Sequence, residues 1–167
     1  ACEAGLVIPV FILDEQTDQP WALGGASRWW LHHALASLNK SLGDKLNIYQ
    51  GDAFTVLSQL AKQANARAVY WNRCYEPQSI ARDGLIKSSF KDTGLEVQSY
   101  NGSLLWEPWQ VLKKDATPYK VFTPYYRRGC LQKPAPRRPL AEPTNMHLLK
   151  IESSLRLEDL SLLPAID

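Results

Sequence analysis

AVYWNRCYEP, residues 68–77, decides how this chain folds. Its first four residues are apolar or aromatic, with no polar residue alternating between them. Such a run reads as a strand covered on both faces, the habit of parallel sheets, rather than a strand with one wet face. Asn72, Arg73, Cys74, Tyr75 and Glu76 then follow in a row before Pro77. Five side chains able to bond, stack or carry charge therefore stand at the strand's carboxyl end.

The same alternation extends outward on both sides. Upstream, the spacing of Trp29, Trp30, Ala34, Leu35, Leu38 and Leu42 predicts a helix over 25–42, with Gly43 as its stop. Leu46 to Tyr49 reads as a short strand. Asp52 caps a helix to about Asn65 that buries Phe54, Leu57, Leu60, Ala61 and Ala64. Downstream, a helix over about 78–92 turns Ile80, Leu85, Ile86 and Phe90 inward and stops at Gly94, and Leu95 to Tyr100 is the next strand. The Val- and Ile-rich run Leu6 to Leu13 reads as one more buried strand. Ala1 to Gly5 reads as the last turn of a helix, so a strand and most of a helix are expected upstream of Ala1.

Strands alternating with helices predict an α/β fold: a Rossmann-like, doubly wound parallel sheet with helices on both faces and its first strand missing from the sequence. Ligands in such sheets lie outside the carboxyl ends of the strands, which singles out Asp14 as well as Asn72 to Glu76. Trp29, Trp30 and Trp71 are expected in the core. Residues 101–132 form an aromatic-rich irregular region with a short helix near 108–114, and the α/β domain is expected to occupy 1–132. Residues 133–167 hold five of the eleven prolines and read as a long irregular linker. It ends in Leu155, Leu157, Leu160, Leu162 and Leu163, with no sheet of its own to cover them.

Composition narrows the function. Three scattered cysteines, Cys2, Cys74 and Cys130, form no CxxC pair, which argues against a disulfide framework or a zinc site and suits a cytoplasmic protein. His32 and His33 are adjacent on a helix and point about 100° apart, so no metal site is expected. The apolar run Leu6 to Leu13 contains Pro9 and is far too short to span a membrane, so no membrane partner is expected. The net charge of +2 conceals an asymmetry, because residues 113–138 hold eight Lys and Arg against one acid, Asp115. A basic block of this kind marks either nucleic-acid contact or a solvated linker that pairs with acids on a neighbouring domain. Neither GxGxxG nor GxxxxGK[ST] occurs.

Four segments occur together and in order: PVFILD (Pro9 to Asp14), SRWWLHHALASL (Ser27 to Leu38), YWNRCYEP (Tyr70 to Pro77) with Arg82-Asp83 behind it, and PYKVFTPYYR (Pro118 to Arg127). Together they resemble the amino-terminal domain of the DNA photolyase and cryptochrome family, from Ala1 to about Gly129, and LEDLSLLP resembles that family's interdomain connector. The resemblance implies an antenna-binding α/β domain joined to a helical domain that carries flavin adenine dinucleotide (FAD). The intact protein would be a light-dependent carbon–carbon lyase, a deoxyribodipyrimidine photolyase. Its antenna harvests near-ultraviolet or blue light for the flavin, which repairs a pyrimidine dimer flipped out of damaged DNA.

The resemblance assigns Ile12, Leu13 and Asp14 to the antenna-pocket wall and Arg28 to a position facing the chromophore. It assigns Asn72, Arg73, Cys74, Tyr75 and Glu76 to the loop that closes over it. A planar heterocycle needs a stacking surface, polar groups on its edge and a cation for an anionic tail, which these residue types supply. Tyr119, Phe122, Pro124 and Tyr125 are expected to pack against the helical domain. No catalytic residue falls in this chain, which alone is not expected to repair DNA. The family's RRDLR-type loop lies outside the sequence. Cys74 and Ser79 stand where deazaflavin-binding and folate-binding members, respectively, carry acids. Folate, flavin mononucleotide and deazaflavin thus all remain open as the antenna. A cryptochrome-type signalling module without repair activity, and a stand-alone nucleotide- or flavin-binding protein, are the other readings.

Overall fold

The computed structural model describes residues 5–15 and 22–164. The helical turn expected at Ala1 to Ala4 lies outside the described residues. The chain divides into two compact units, one made of residues 1–70, 74–98 and 143–167, the other of residues 71–73 and 99–142.

Along the chain, strands and helices alternate as β1 (Leu6–Val7), β2 (Val10–Leu13), α1 (Gly25–Ser41), β3 (Asn47–Gln50), α2 (Ala53–Gln63), β4 (Ala68–Asn72), α3 (Pro77–Phe90) and β5 (Glu96–Tyr100); all but the last two residues of β4 and of β5 belong to the first unit. Strand β2 pairs in parallel with β3, from Val10 opposite Asn47 to Leu13 opposite Gln50. Strands β4 and β5 also pair. Glu96 N donates to Arg67 O at one end of that pair and Arg73 N to Tyr100 O at the other, an order that makes the strands parallel. The architecture is the expected α/β arrangement with parallel pairing.

The run Leu6 to Leu13 is two strands, not one. Pro9 has no N–H to give a ladder, and the chain changes partner there. Strand β1 pairs in parallel with β6 (His147–Leu148), whereas β2 takes β3. Asn47, fully buried, joins the two halves. Its amide donates to Pro9 O (3.1 Å), Lys45 O (3.0 Å) and Leu149 O (2.9 Å), and its carbonyl oxygen accepts from Ile151 N (2.6 Å).

That anchorage brings the leucine-rich tail home. Leu160 is 1% exposed and Leu162 3%, and both join Leu13, Leu35, Leu46 and Ile48 in the core, with Leu155 and Leu157 packed alongside. The expectation that these leucines lack a sheet to cover is therefore wrong for all but Leu163, which is exposed. Periodicity misled because the covering surface comes from the other end of the chain.

Helix α1 turns Arg28, Leu31, His32, Leu35, Asn39 and Leu42 inward, a stripe at i, i+3, i+4, i+7 spacing. Trp29 and Trp30 fall off that stripe and are exposed (50% and 71%), contrary to the core placement expected of them; Trp71 is half-buried. In α3 the buried stripe is Ser79, Asp83, Ile86 and Phe90, two of them polar, so Ile80 and Leu85 face outward. Phe54, expected inside, is partly exposed and lies with its ring 5.4 Å from that of Phe90.

In the second unit the helix expected near 108–114 is a single 3-10 turn, Pro108–Gln110. An unforeseen helical segment, α4 (Phe122–Pro124), continues as a π-helix over Tyr125–Cys130. Gly129 is required within it, since a Cβ there would lie 2.8 Å from Val111 Cγ1 and 3.1 Å from the Tyr119 ring. No helix among the described residues is long and apolar enough to cross a membrane.

Candidate functional site

The carboxyl ends of β2 and β3 gather a polar cluster in the first unit. Leu13 anchors the end of β2 in the core, and Ile12 beside it is half-buried. The Asp14 carboxylate, itself buried, accepts from Ala53 N at 3.2 Å. It thereby satisfies a backbone donor in the first turn of α2, where the helix dipole favours negative charge. Asp52 supplies the second cap of that helix, accepting from Thr55 N at 2.7 Å. These bonds with Thr55 hold the Asp52 carboxyl below its ordinary pKa.

Arg28 owes its position to the inward stripe of α1. Its guanidinium forms an ion pair with Glu15 and donates to Ser161 O at 3.2 Å. Glu15 also accepts from Gln50 Nε2 at the end of β3 (3.4 Å). Ser161 holds a left-handed backbone conformation (φ 48°), just past the 3-10 turn Leu157–Leu160. Arg28 thus ties together a strand end, a helix start and the returning tail.

Cys74, Tyr75 and Glu76 lead into α3. Cys74 is an exposed free thiol. Glu76 occupies the residue before the helix, and its carboxylate turns back to accept from Tyr75 N at 3.1 Å.

Asn72 and Arg73 belong to the second unit. A Cβ on Gly102 would sit 2.5 Å from Asn72 Cγ, so the 101–104 turn passes directly over that side chain. Arg73 forms an ion pair with the buried carboxylate of Glu107 (2.9 Å), and its guanidinium carbon lies 5.5 Å from the Trp109 ring centroid. This is a cation–π arrangement.

Tyr119 meets Tyr125 edge-on at 6.2 Å, and Phe122, 72% exposed, stacks parallel on Tyr126 at 5.7 Å. Pro124 between them is half-buried. A hydrogen bond with the buried Cys130 side chain, then electrostatic interaction with it, raises the Tyr125 phenol above its ordinary pKa.

The structure therefore brings Arg28 together with Glu15 and Gln50, holds Asp14 against the start of α2, and brings Asn72 against Gly102 and Arg73 against Glu107 and Trp109. Sequence reasoning overlooked Glu15, Gln50, Glu107 and Trp109. The first two were within reach, because each stands at a strand's carboxyl end. Glu107 carried a weaker signal, an acid directly before a proline-initiated turn. Among the described residues, no group of three His, Cys, Asp or Glu side chains is placed to hold a metal ion.

Parallel strands with polar side chains collected at their carboxyl ends define a Rossmann-like α/β domain. The family model for DNA photolyase matches residues 1–144, and the chain belongs to that family. A bacterial class III photolyase from Agrobacterium tumefaciens is 38% identical with a TM-score of 0.86, over 96% of this chain and 33% of that one. An archaeal photolyase from Sulfolobus tokodaii is 25% identical with a TM-score of 0.70, over 98% of this chain and 36% of that one. It was solved with two FAD molecules and described as implying a novel light-harvesting cofactor. Cryptochrome-2 of Arabidopsis thaliana is 34% identical over 78% of this chain and 22% of its own length. The chain thus spans about a third or less of the length of these relatives.

Proposed function

We propose that this chain is the antenna-chromophore-binding part of a DNA photolyase. Residues 1–132 form the antenna domain, and residues 133–167 lead towards an FAD-carrying helical domain of the same polypeptide. The observation that carries the reading is the polar cluster Glu15, Arg28 and Gln50 at the carboxyl ends of parallel strands, in a chain that belongs to the photolyase family. The pocket wall Ile12 to Asp14 and the loop Cys74 to Glu76 belong to the same unit.

The residues present fit a planar heterocycle with an anionic tail. Asp14, Glu15 and Gln50 offer bonds to a ring edge, and Arg28 is the cation for a phosphate or carboxylate. Arg28 already holds Glu15, so an anionic tail reaches it by displacing that carboxylate. The bound chromophore would supply light absorption. The protein's part is to hold it, neutralise its tail and keep it at a fixed orientation. The exposed aromatic face of Phe122 and Tyr125 is the surface for the helical domain. The intact protein then acts on pyrimidine dimers in DNA.

Titrating the chain with flavin mononucleotide, methenyltetrahydrofolate and a deazaflavin, read by ligand fluorescence, tests the reading. Saturable binding of one of them should be lost in Arg28→Ala and strengthened in Glu15→Gln, which frees the guanidinium. Equal affinities for wild type and both variants reject the site.

The likeness to cryptochrome-2 favours a second reading, a blue-light signalling module without repair activity. Illumination of the intact protein with dimer-containing DNA separates the two.

A further inference from the structure

Ser161 is where the returning tail meets the polar cluster. Leu160 before it and Leu162 after it are both core residues, so the backbone between them has little freedom. Ser161 itself adopts φ 48° and ψ 41°, a left-handed conformation that residues other than glycine take up only at a cost. Its N–H donates to Glu158 O at 3.0 Å and closes the 3-10 turn. Arg156 N donates to Asp159 Oδ2 (2.8 Å) and Asp159 N to Arg156 O (3.2 Å), which ties the start of the same turn. The carbonyl of Ser161, fixed in this way, accepts from Arg28 Nη2 at 3.2 Å. Arg28 and Leu35 share the inward stripe of α1, and Leu35 packs in the same cluster as Leu160.

Glu15 alone fixes the guanidinium poorly. The pair is partly open to water, with side-chain exposures of 26% for Arg28 and 42% for Glu15, and such a pair gains little against the entropy of two long side chains. A second bond, to a carbonyl held between two buried leucines, sets the plane of the fork. On the antenna reading of this cluster, we propose that Ser161 is a positioning residue of the anion site, coupling occupancy of that site to the order of residues 157–162. When an anionic tail takes the place of Glu15, the Ser161 bond keeps the guanidinium oriented, so the ligand meets a cation already in place. Linkage makes the effect mutual: an anion bound more tightly than Glu15 holds the guanidinium, and through it Ser161, more firmly. The segment that senses the chromophore is then the one that leads towards the helical domain.

The test uses the 167-residue chain and begins without ligand. Nitrogen-15 NMR of the Arg28 guanidinium reads its rotation about the Cζ–Nε bond, a quantity that a purely structural role for Ser161 would not alter. Rotation should be slow in wild type and in Ser161→Gly, which takes the left-handed conformation freely. It should be about tenfold faster in Ser161→Val, whose branched side chain disfavours that conformation and withdraws the carbonyl. Arg28→Lys gives the reciprocal readout, because one ammonium cannot span Glu15 and Ser161 O. Amide exchange at Ser161 N should quicken about tenfold in that variant, with α2 unchanged. Flavin mononucleotide, methenyltetrahydrofolate and a deazaflavin are then added in turn. The one that binds should slow exchange at Ser161 N, and should bind Ser161→Val about tenfold more weakly than wild type or Ser161→Gly. Equal guanidinium rotation in wild type and both Ser161 variants overturns the inference. So does exchange at Ser161 N that is indifferent to Arg28→Lys or to a bound chromophore. If melting shows that Ser161→Val unfolds the tail, exchange in Arg28→Lys decides alone. Failure of all three chromophores to bind, with the ligand-free differences present, counts against the antenna reading and leaves the Arg28–Ser161 tether standing.

Discussion

Asn47→Ala should loosen the attachment of residues 147–155 to the sheet, and the size of the effect follows from its four bonds. Pro9 O keeps a donor after the substitution, because Asn47 N already reaches it at 2.9 Å. Leu149 O, Lys45 O and Ile151 N each lose the side-chain partner. Leaving a buried polar group without its bond costs about 1–3 kcal/mol. Leu149 and Lys45 are exposed residues whose carbonyls water can partly serve, so the low end applies to them. The total is roughly 3–4 kcal/mol. In a chain of this size that is a drop in Tm of about 6–16 °C. Asn47→Asp should be no better, since it keeps the acceptor for Ile151 N but turns a carboxylate towards three carbonyl oxygens. Calorimetry gives the global effect, and hydrogen exchange at Leu149 N and Leu155 N, which bond to Val7 O and Ile48 O, gives the local one. Protection at those two amides should fall more than in α2. A Tm change under about 2 °C with unchanged protection would refute the reasoning. It would mean that Leu160 and Leu162 hold the segment without the asparagine.

Three further outcomes are expected. Gly102→Ala should cost about 1–3 kcal/mol, because its methyl overlaps Asn72, and the double variant with Asn72→Ala should recover only part of that in a denaturation cycle, since the Cβ of residue 72 still lies 2.9 Å away. Arg73→Ala should destabilise by about 3 kcal/mol by stripping a buried carboxylate of its cation; Arg73→Lys should recover only part, as the fork to Glu107 and the face on Trp109 are both lost, and urea melts followed by tryptophan fluorescence measure the difference. Asp52→Ala should cost ~1 kcal/mol at neutral pH as a lost helix cap, while Asp52→Asn keeps the cap. Because the folded-state pKa of Asp52 is lowered, its charge-dependent stabilisation is complete above the ordinary carboxylate range and is lost as pH falls through the lowered value. The gap in Tm between wild type and Asp52→Asn should therefore narrow in acid.

The alternation of strands and helices was legible because it is a local property: each element's apolar spacing and its stop residue lie within about twenty positions. Asp14 and Asn72 were likewise placed at strand ends by short-range pattern alone. What stayed hidden needed a partner distant in sequence. Nothing near Leu160 says that Leu13 and Leu35 await it, and nothing near Arg28 names Glu15 as its counter-ion. Trp29 and Trp30 were misplaced for a different reason. Two adjacent bulky residues cannot share one helical stripe, and Leu31 and Leu35 already define it. In α3, buried Ser79 and Asp83 broke the apolar signal, so Ile80 and Leu85 were assigned inward by default. The π-helical turn at Tyr125–Cys130 has no comparable pattern to announce it.

Because Leu160 and Leu162 complete the core that Leu13 and Ile48 begin, the first unit closes late during synthesis. A ribosome has to deliver well over a hundred residues after β2 before that strand acquires its full apolar cover, an interval of roughly ten to thirty seconds at ordinary elongation rates. Until then β2 and α1 present an open apolar face to whatever chaperone or neighbouring nascent chain is nearby. A recombinant fragment cut at residue 144, where the family match stops, would keep that face uncovered permanently. Expression yields of fragments ending before and after Leu162 would then report on completion of the core, whatever the ligand.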